Sequence, residues 1–182
     1  GGRTATSGRV WPGEDFSYLV ARRDRSGGGG DLCAASPHYR WEEVWPARSF
    51  EKTLLYHLKQ ELSAAAAAGP TQIEGLKISK RTPSGRAEVL EVRTDRGRFR
   101  VCGDRIRWVL RQPNGRPLRS TLIGKLQKRG DGVGAELVLE GAGYGHGAGM
   151  CQYGARELAR RGAAPAQILR HYYRDIGLVR WW

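Results

Sequence analysis

The sequence predicts an α+β fold: an antiparallel meander of strands with helices packed around it, in one domain over residues 1–182. Three observations carry this. Phe50, Leu54, Leu55, Leu58 and Leu62 recur at helical spacing on one face. From Ile73 to Val101 apolar residues alternate instead, interrupted by the turn signals Pro83-Ser84-Gly85 and Asp95-Arg96-Gly97. Apart from a short helix expected between Asp104 and Leu110, helical spacing returns only after Cys151, so the helices are segregated around the strands.

Taken in order, residues 1–31 are poor in periodic structure, with a short strand expected around Phe16, Tyr18, Leu19 and Val20 and a loop at Gly27–Gly30. Pro37 biases Ser36 away from helix, and His38 to Val44 reads as a strand. Ser49 is the expected N-cap of the first long helix, with Glu51 in its first turn. That helix runs through Ala64–Ala68 and stops at Gly69-Pro70, with His57 on its surface. Leu76 and Ile78, then Ala87 to Val92, then Phe99 and Val101 mark three antiparallel strands, with Cys102 ending the third as a small core residue. Asp104 is expected to cap a short helix through Leu110, and Pro113-Asn114-Gly115 is a turn. Two strands follow, around Ser120–Leu126 and Ala135–Glu140. Gln152–Arg161 is a helix closed by Gly162, and Pro165 opens another with Ile168, Leu169, Tyr172 and Tyr173 inward. The tail Leu178-Val179-Arg180-Trp181-Trp182 is apolar enough to dock.

Hydrophobic content of 40%, with six Trp and seven Tyr, marks a folded chain. Lys and Arg outnumber Asp and Glu to leave a net charge of +13. Such an excess suits polyanionic surroundings: nucleic acid, anionic lipid or an acidic wall polymer. The basic residues are spread along the chain, which reads as a solvated surface rather than a nucleic-acid reading head. No apolar run approaches the roughly 18 residues of a membrane span. Three cysteines, Cys33, Cys102 and Cys151, fit neither a disulfide-dense scaffold nor a zinc ribbon. One disulfide with one buried thiol, or three free thiols, would both satisfy the count.

The best candidate site is Gly141 to Met150, where glycine stands at every second position through Gly149. Read as an extended segment, this run leaves one face bare and places Tyr144 and His146 side by side on the other. Glycine is a poor strand former, so the run implies close approach of a ligand or of other backbone. A dinucleotide fingerprint fails, because the third glycine would have to replace His146, Ala148 or Met150. A nucleophile elbow at Cys151 fails as well, since Tyr153 stands where its second glycine belongs. Metal ligation by His146, Cys151 and His171 or His38 has no ligand spacing to support it. Glu42, Glu43, Glu140 and Glu157 are available for glycosidase chemistry, but no motif singles one out. What is left is a glycine-lined groove bearing an aromatic ring, an imidazole and an amide.

The segment Gly143 to Ala155, followed by Leu158-Ala159, Gly162, Ile168-Leu169 and His171-Tyr172-Tyr173, closely resembles the end of the SpoIID/LytB domain. That domain is found in stage II sporulation protein D and in amidase enhancers. The resemblance extends through Gly1-Gly2-Arg3-Thr4, Val10-Trp11, Tyr18-Leu19, Ser36 to Trp41 and Leu118 to Thr121. It implies a bacterial peptidoglycan-remodelling function. The sporulation protein is a lytic transglycosylase of glycan strands stripped of stem peptides, whereas amidase enhancers stimulate an N-acetylmuramoyl-L-alanine amidase. The family's catalytic acid is a glutamate in a helical Glu-Ala-Leu-Lys-Ala-Gln-Ala-type segment, expected to precede Gly1.

By matching position, the resemblance implies that Thr4, Ser7, Tyr144, His146, Gln152 and Tyr153 line the glycan groove. Gly143, Gly145, Gly147 and Gly149 then shape its wall. The plainer alternative is that His146 and Gln152 only hydrogen-bond the loop. The resemblance also implies an extracytoplasmic setting, in the cell envelope, where a Cys33–Cys151 disulfide is reasonable. No cofactor and no metal ligand set is expected; some family members hold zinc, through residues chiefly upstream. The implied partners are peptidoglycan strands and an amidase, with no nucleic acid.

Overall fold

The computed structural model describes residues 1–25, 29–61 and 69–179. Leu62 and Ala64–Ala68 of the expected helix, Gly27 and Gly28 of the expected loop, and the tail from Arg180 lie outside the described residues. The class is α+β, with two three-stranded antiparallel sheets and several helices. The chain forms two compact units: Gly1–Tyr39 with Gly143–Trp182, and Arg40–Ala142.

The unit Arg40–Ala142 holds both sheets. Its meander is β2 (Ile73–Arg81), β3 (Ala87–Thr94) and β4 (Gly97–Cys102), in the expected order. Gly85 and Gly97 take positive φ at the two hairpin turns, which is why glycine punctuates each. The second sheet has the order β1-β6-β5, built from β1 (Trp41–Pro46), β5 (Ile123–Arg129) and β6 (Glu136–Gly141). Its central strand pairs antiparallel with both neighbours, with Trp41 and Ile123 each opposite Gly141.

Helix α2 (Ala47–Glu61) follows β1 directly, one turn earlier than a Ser49 cap would place it. Glu51 has a different task from the expected dipole contact: its carboxylate accepts from the Ile73 N–H at 3.0 Å, tying α2 to β2. Phe50, Leu54 and Leu58 are buried from α2 against Leu90, Val92, Ile106, Leu110 and Leu139. Fully burying each such side chain stabilises the unit by about 1.5–3 kcal/mol. Asp104 lies in a 3₁₀ turn (Gly103–Arg105) before α3 (Ile106–Val109). It pairs with Arg107 at 3.1 Å rather than capping the helix.

Cys102 is exposed, not in the core. Alternation along β4 turns Val101 inward and so turns Cys102 outward.

The other unit is mostly loop. Its helices are α1 (Ser7–Val10), α4 (Gln152–Arg160) and α5 (Pro165–Tyr172). Residues Phe16 to Val20 form a turn instead of the expected strand, closed by Leu19 N–H donating to Phe16 O at 2.9 Å. Phe16 and Tyr18 are exposed as a consequence. Ala5, Val10 and Ala148 make a small core with Trp11 packed on it. Of the tail, Leu178 and Val179 are exposed rather than docked.

Candidate functional site

The glycine run is not an extended strand. Gly143, Gly145, Gly147 and Gly149 all lie in the left-handed region, at φ of +77°, +84°, +83° and +77°. Only glycine reaches this conformation without steric penalty, so the alternation records a repeated backbone turn rather than a bare strand face. Close approach, the expected reason for glycine, holds at Gly141. A Cβ there would fall 2.3 Å from Trp41 Cζ2 and 2.7 Å from the Leu122 carbonyl oxygen. At Gly145 a Cβ would meet nothing within 4 Å, so the main chain there borders open space.

The run is anchored at both ends. Gly143 N–H donates to His38 O at 2.8 Å, and Ala5 N–H donates to Gly147 O at 2.9 Å. Between these anchors the loop presents two aromatic pairs. Tyr144, 62% exposed, stacks on His38 with ring centroids 4.6 Å apart. His146 packs against Trp11 at 4.7 Å, tilted by 42°. His146 Nδ1 accepts from Ala148 N–H at 3.1 Å, which leaves Nε2 to carry the proton of a neutral ring. A further aromatic chain runs from Phe16 through Tyr18 to Tyr173. The Tyr173 hydroxyl and Leu19 lie 3.6 Å from the Cβ position of Gly149.

The residues expected in the groove divide. Tyr144 and His146 share the loop, and Gln152 is exposed at the start of α4. Tyr153 is half-buried, its ring beneath the Arg156 guanidinium at 4.8 Å. Thr4 and Ser7 turn inward instead. Thr4 Oγ1 donates to Val20 O and accepts from Arg22 N–H, at 3.2 and 2.8 Å. Ser7, fully buried, accepts from Phe16 N–H at 2.8 Å. Both hydroxyls hold the 1–25 segment in shape, so neither is presented to a ligand. The sequence placed His38 at the start of a strand and gave Trp11 no role in the site. The Ser36-Pro37-His38 turn, beside an otherwise unsupported Tyr144, is the signal that marks the stack.

Cys33 and Cys151, the expected pair, are brought together, each present here as a free thiol. Gly1 N and Gly2 N–H lie 3.3 and 3.2 Å from Cys33 Sγ as donors. The Cys33 thiol is pushed down, chiefly by the hydrogen bond from Cys151. Cys151 is pushed up, because it is the donor in that bond and is desolvated. One thiolate shared by two sulfurs is the expected ionisation of such a pair. Burial, then the hydrogen bond to Asp24, raises the Tyr172 phenol.

In the comparisons with known proteins, one match is to stage II sporulation protein D of Bacillus amyloliquefaciens, 38% identical over 45 residues. The match covers 25% of this chain and 13% of that relative's length. Residues 33–149, more than half of the chain, match the family described as Domain of unknown function (DUF8618). That span takes in His38, Tyr144 and His146, and the chain belongs to the DUF8618 family.

Proposed function

We propose that this chain is a peptidoglycan-directed domain of a sporulation protein D-like wall-remodelling protein, and that its glycine loop binds the glycan strand. One observation carries the reading: an exposed tyrosine held flat on an imidazole, beside main chain that borders open space. A pyranose ring offers a C–H face that packs on an aromatic ring and hydroxyls at its edge. Tyr144 supplies the stacking face, and glycines without Cβ let the sugar approach backbone donors and acceptors. The +13 charge favours residence near acidic wall polymers. The likeness to the sporulation protein supports the same substrate class and an extracytoplasmic setting.

This reading concerns recognition. Cleaving a glycosidic bond needs a carboxylic acid to protonate the leaving oxygen. Tyr144, His146, His38 and Gln152 do not supply one. In the family resembled, the acid stands in a separate helical segment, and strand cleavage belongs to a protein that carries it.

Co-sedimentation with purified sacculi, before and after an amidase has removed the stem peptides, tests the proposal. Retention should rise on peptide-free sacculi and fall about fivefold in Tyr144→Ala, the equivalent of ~1 kcal/mol of stacking. Retention that ignores both the stem peptides and the substitution would overturn it.

A further inference from the structure

Asp24 and Cys33 lie near the start of the sequence and Cys151 far from both, yet one ligand atom of each lies within 4.8 Å of the others. His171, near the end of α5, stands beside this group without lying within 4.8 Å of all three atoms: its Nε2 is 3.7 Å from Asp24 Oδ1. Two atoms of this cluster are buried with no hydrogen-bond partner among the described residues, Asp24 Oδ2 and His171 Nε2. Asp24 is 1% exposed. A buried carboxylate with an open oxygen is costly unless a cation faces it.

The surroundings are built around that carboxylate. Its other oxygen accepts from the Tyr172 hydroxyl at 2.7 Å, the kind of outer hydrogen bond that orients a ligating carboxylate. Gly154, in the first turn of α4, makes the room. A Cβ there would fall 2.6 Å from each Asp24 oxygen and 2.1 Å from the Tyr172 hydroxyl. Any other residue at 154 would push the carboxylate out of the cluster.

We propose that Asp24, Cys33, Cys151 and His171 form a closed tetrahedral site for a zinc-class divalent metal ion. Two sulfurs, one imidazole nitrogen and one carboxylate oxygen are a zinc-type donor set, soft enough to disfavour magnesium and calcium. With Zn–S near 2.3 Å and Zn–N or Zn–O near 2.0 Å, tetrahedral geometry sets neighbouring ligand atoms about 3.3–3.8 Å apart. The ion holds both sulfurs as thiolates and offsets most of the charge of two thiolates and a carboxylate. A site with four protein ligands leaves no open position, so its role is structural: it ties residues 24 and 33 to residues 151 and 171. No Cys/His spacing motif marks it, because the two cysteines stand in separate parts of the chain.

Cobalt(II) titration of the reduced full chain tests the site. Expected are one ion per chain, a sulfur-to-cobalt charge-transfer band in the near ultraviolet, and the intense visible bands of tetrahedral cobalt, all abolished by zinc. Asp24→Asn and His171→Gln should each weaken cobalt affinity at least about tenfold. Thiol alkylation needs no variant and adds an internal control, since Cys102 is exposed. With zinc bound only Cys102 should react, and with a chelator all three cysteines should. Octahedral spectra, full alkylation in the presence of zinc, or unchanged affinity in folded Asp24→Asn and His171→Gln would overturn the proposal. So would protein that purifies metal-free with Cys33 and Cys151 joined as a disulfide.

Discussion

The ring of Tyr144 lies on the ring of His38, their planes 25° apart, while the Gly143 N–H next to it donates to the His38 carbonyl at 2.8 Å. Backbone and side chain are thus registered on the same residue. The turn ending at His38 sets both where the glycine loop starts and how its exposed tyrosine is held. His38→Ala removes the support but keeps the binding ring. Affinity for peptide-free glycan should fall two- to threefold, roughly 0.5 kcal/mol, less than in Tyr144→Ala. The melting temperature should change little, because Tyr144 is exposed and His38 only half-buried. Co-sedimentation and thermal unfolding of both variants check this.

Two glycines of the same run should respond differently to alanine. At Gly141 the added methyl collides with the Trp41 indole and the Leu122 carbonyl, and overpacking of this kind costs about 1–3 kcal/mol or more. At Gly145 the methyl enters open space, and only the left-handed backbone resists it, at about 1–2 kcal/mol. Urea unfolding should rank Gly141→Ala as the less stable. Glycan binding should fall further in Gly145→Ala than stability explains, since the methyl fills the space next to Tyr144.

Tyr172→Phe removes the hydroxyl that donates to Asp24 Oδ1 at 2.7 Å and leaves that buried oxygen unpaired. A loss of about 1–3 kcal/mol follows for metal-free protein. Urea unfolding in the presence of a chelator reads it, and Tyr173→Phe serves as the control.

The α4 helix carries a pH signature. Hydrogen bonds from Arg160 and then Arg161 hold Glu157 down at about 2, from an ordinary 4.5. A carboxyl depressed on folding contributes stability that is complete above the unfolded value and fades as pH falls through the folded one. Glu157→Gln should therefore lower the melting temperature at pH 7. The difference from the parent should shrink between about 4.5 and about 2 and vanish below. A gap that stays constant across that window would mean the two arginines do not act through charge.

The meander was legible because β2, β3 and β4 are consecutive, alternate cleanly and are separated by glycine turns. The pairing of β1 with β6 was not, since Trp41 and Gly141 lie far apart in the chain and no local pattern joins them. Cys102 was misplaced because a single register step decides whether it or Val101 faces the core. The glycine run was singled out as the candidate site, and its conformation was misread. A two-residue alternation looks the same whether the backbone is extended or turns left-handed at every glycine. Thr4 and Ser7 matched a motif, yet their hydroxyls brace the loop they stand in. Asp24 carried no signal at all; only folding brings it to Cys33, Cys151 and His171.

The central claim is that the Tyr144 loop is where a glycan strand binds. It is tested most directly by titrating soluble, peptide-free glycan oligosaccharides into isotope-labelled protein and following each backbone amide by NMR. The account predicts saturable shifts concentrated at His38 and from Gly143 through Gly149, absent in Tyr144→Ala. Shifts confined to another surface, such as Lys77, Arg93 and Arg98 on the meander, or no shifts at millimolar ligand, would contradict it.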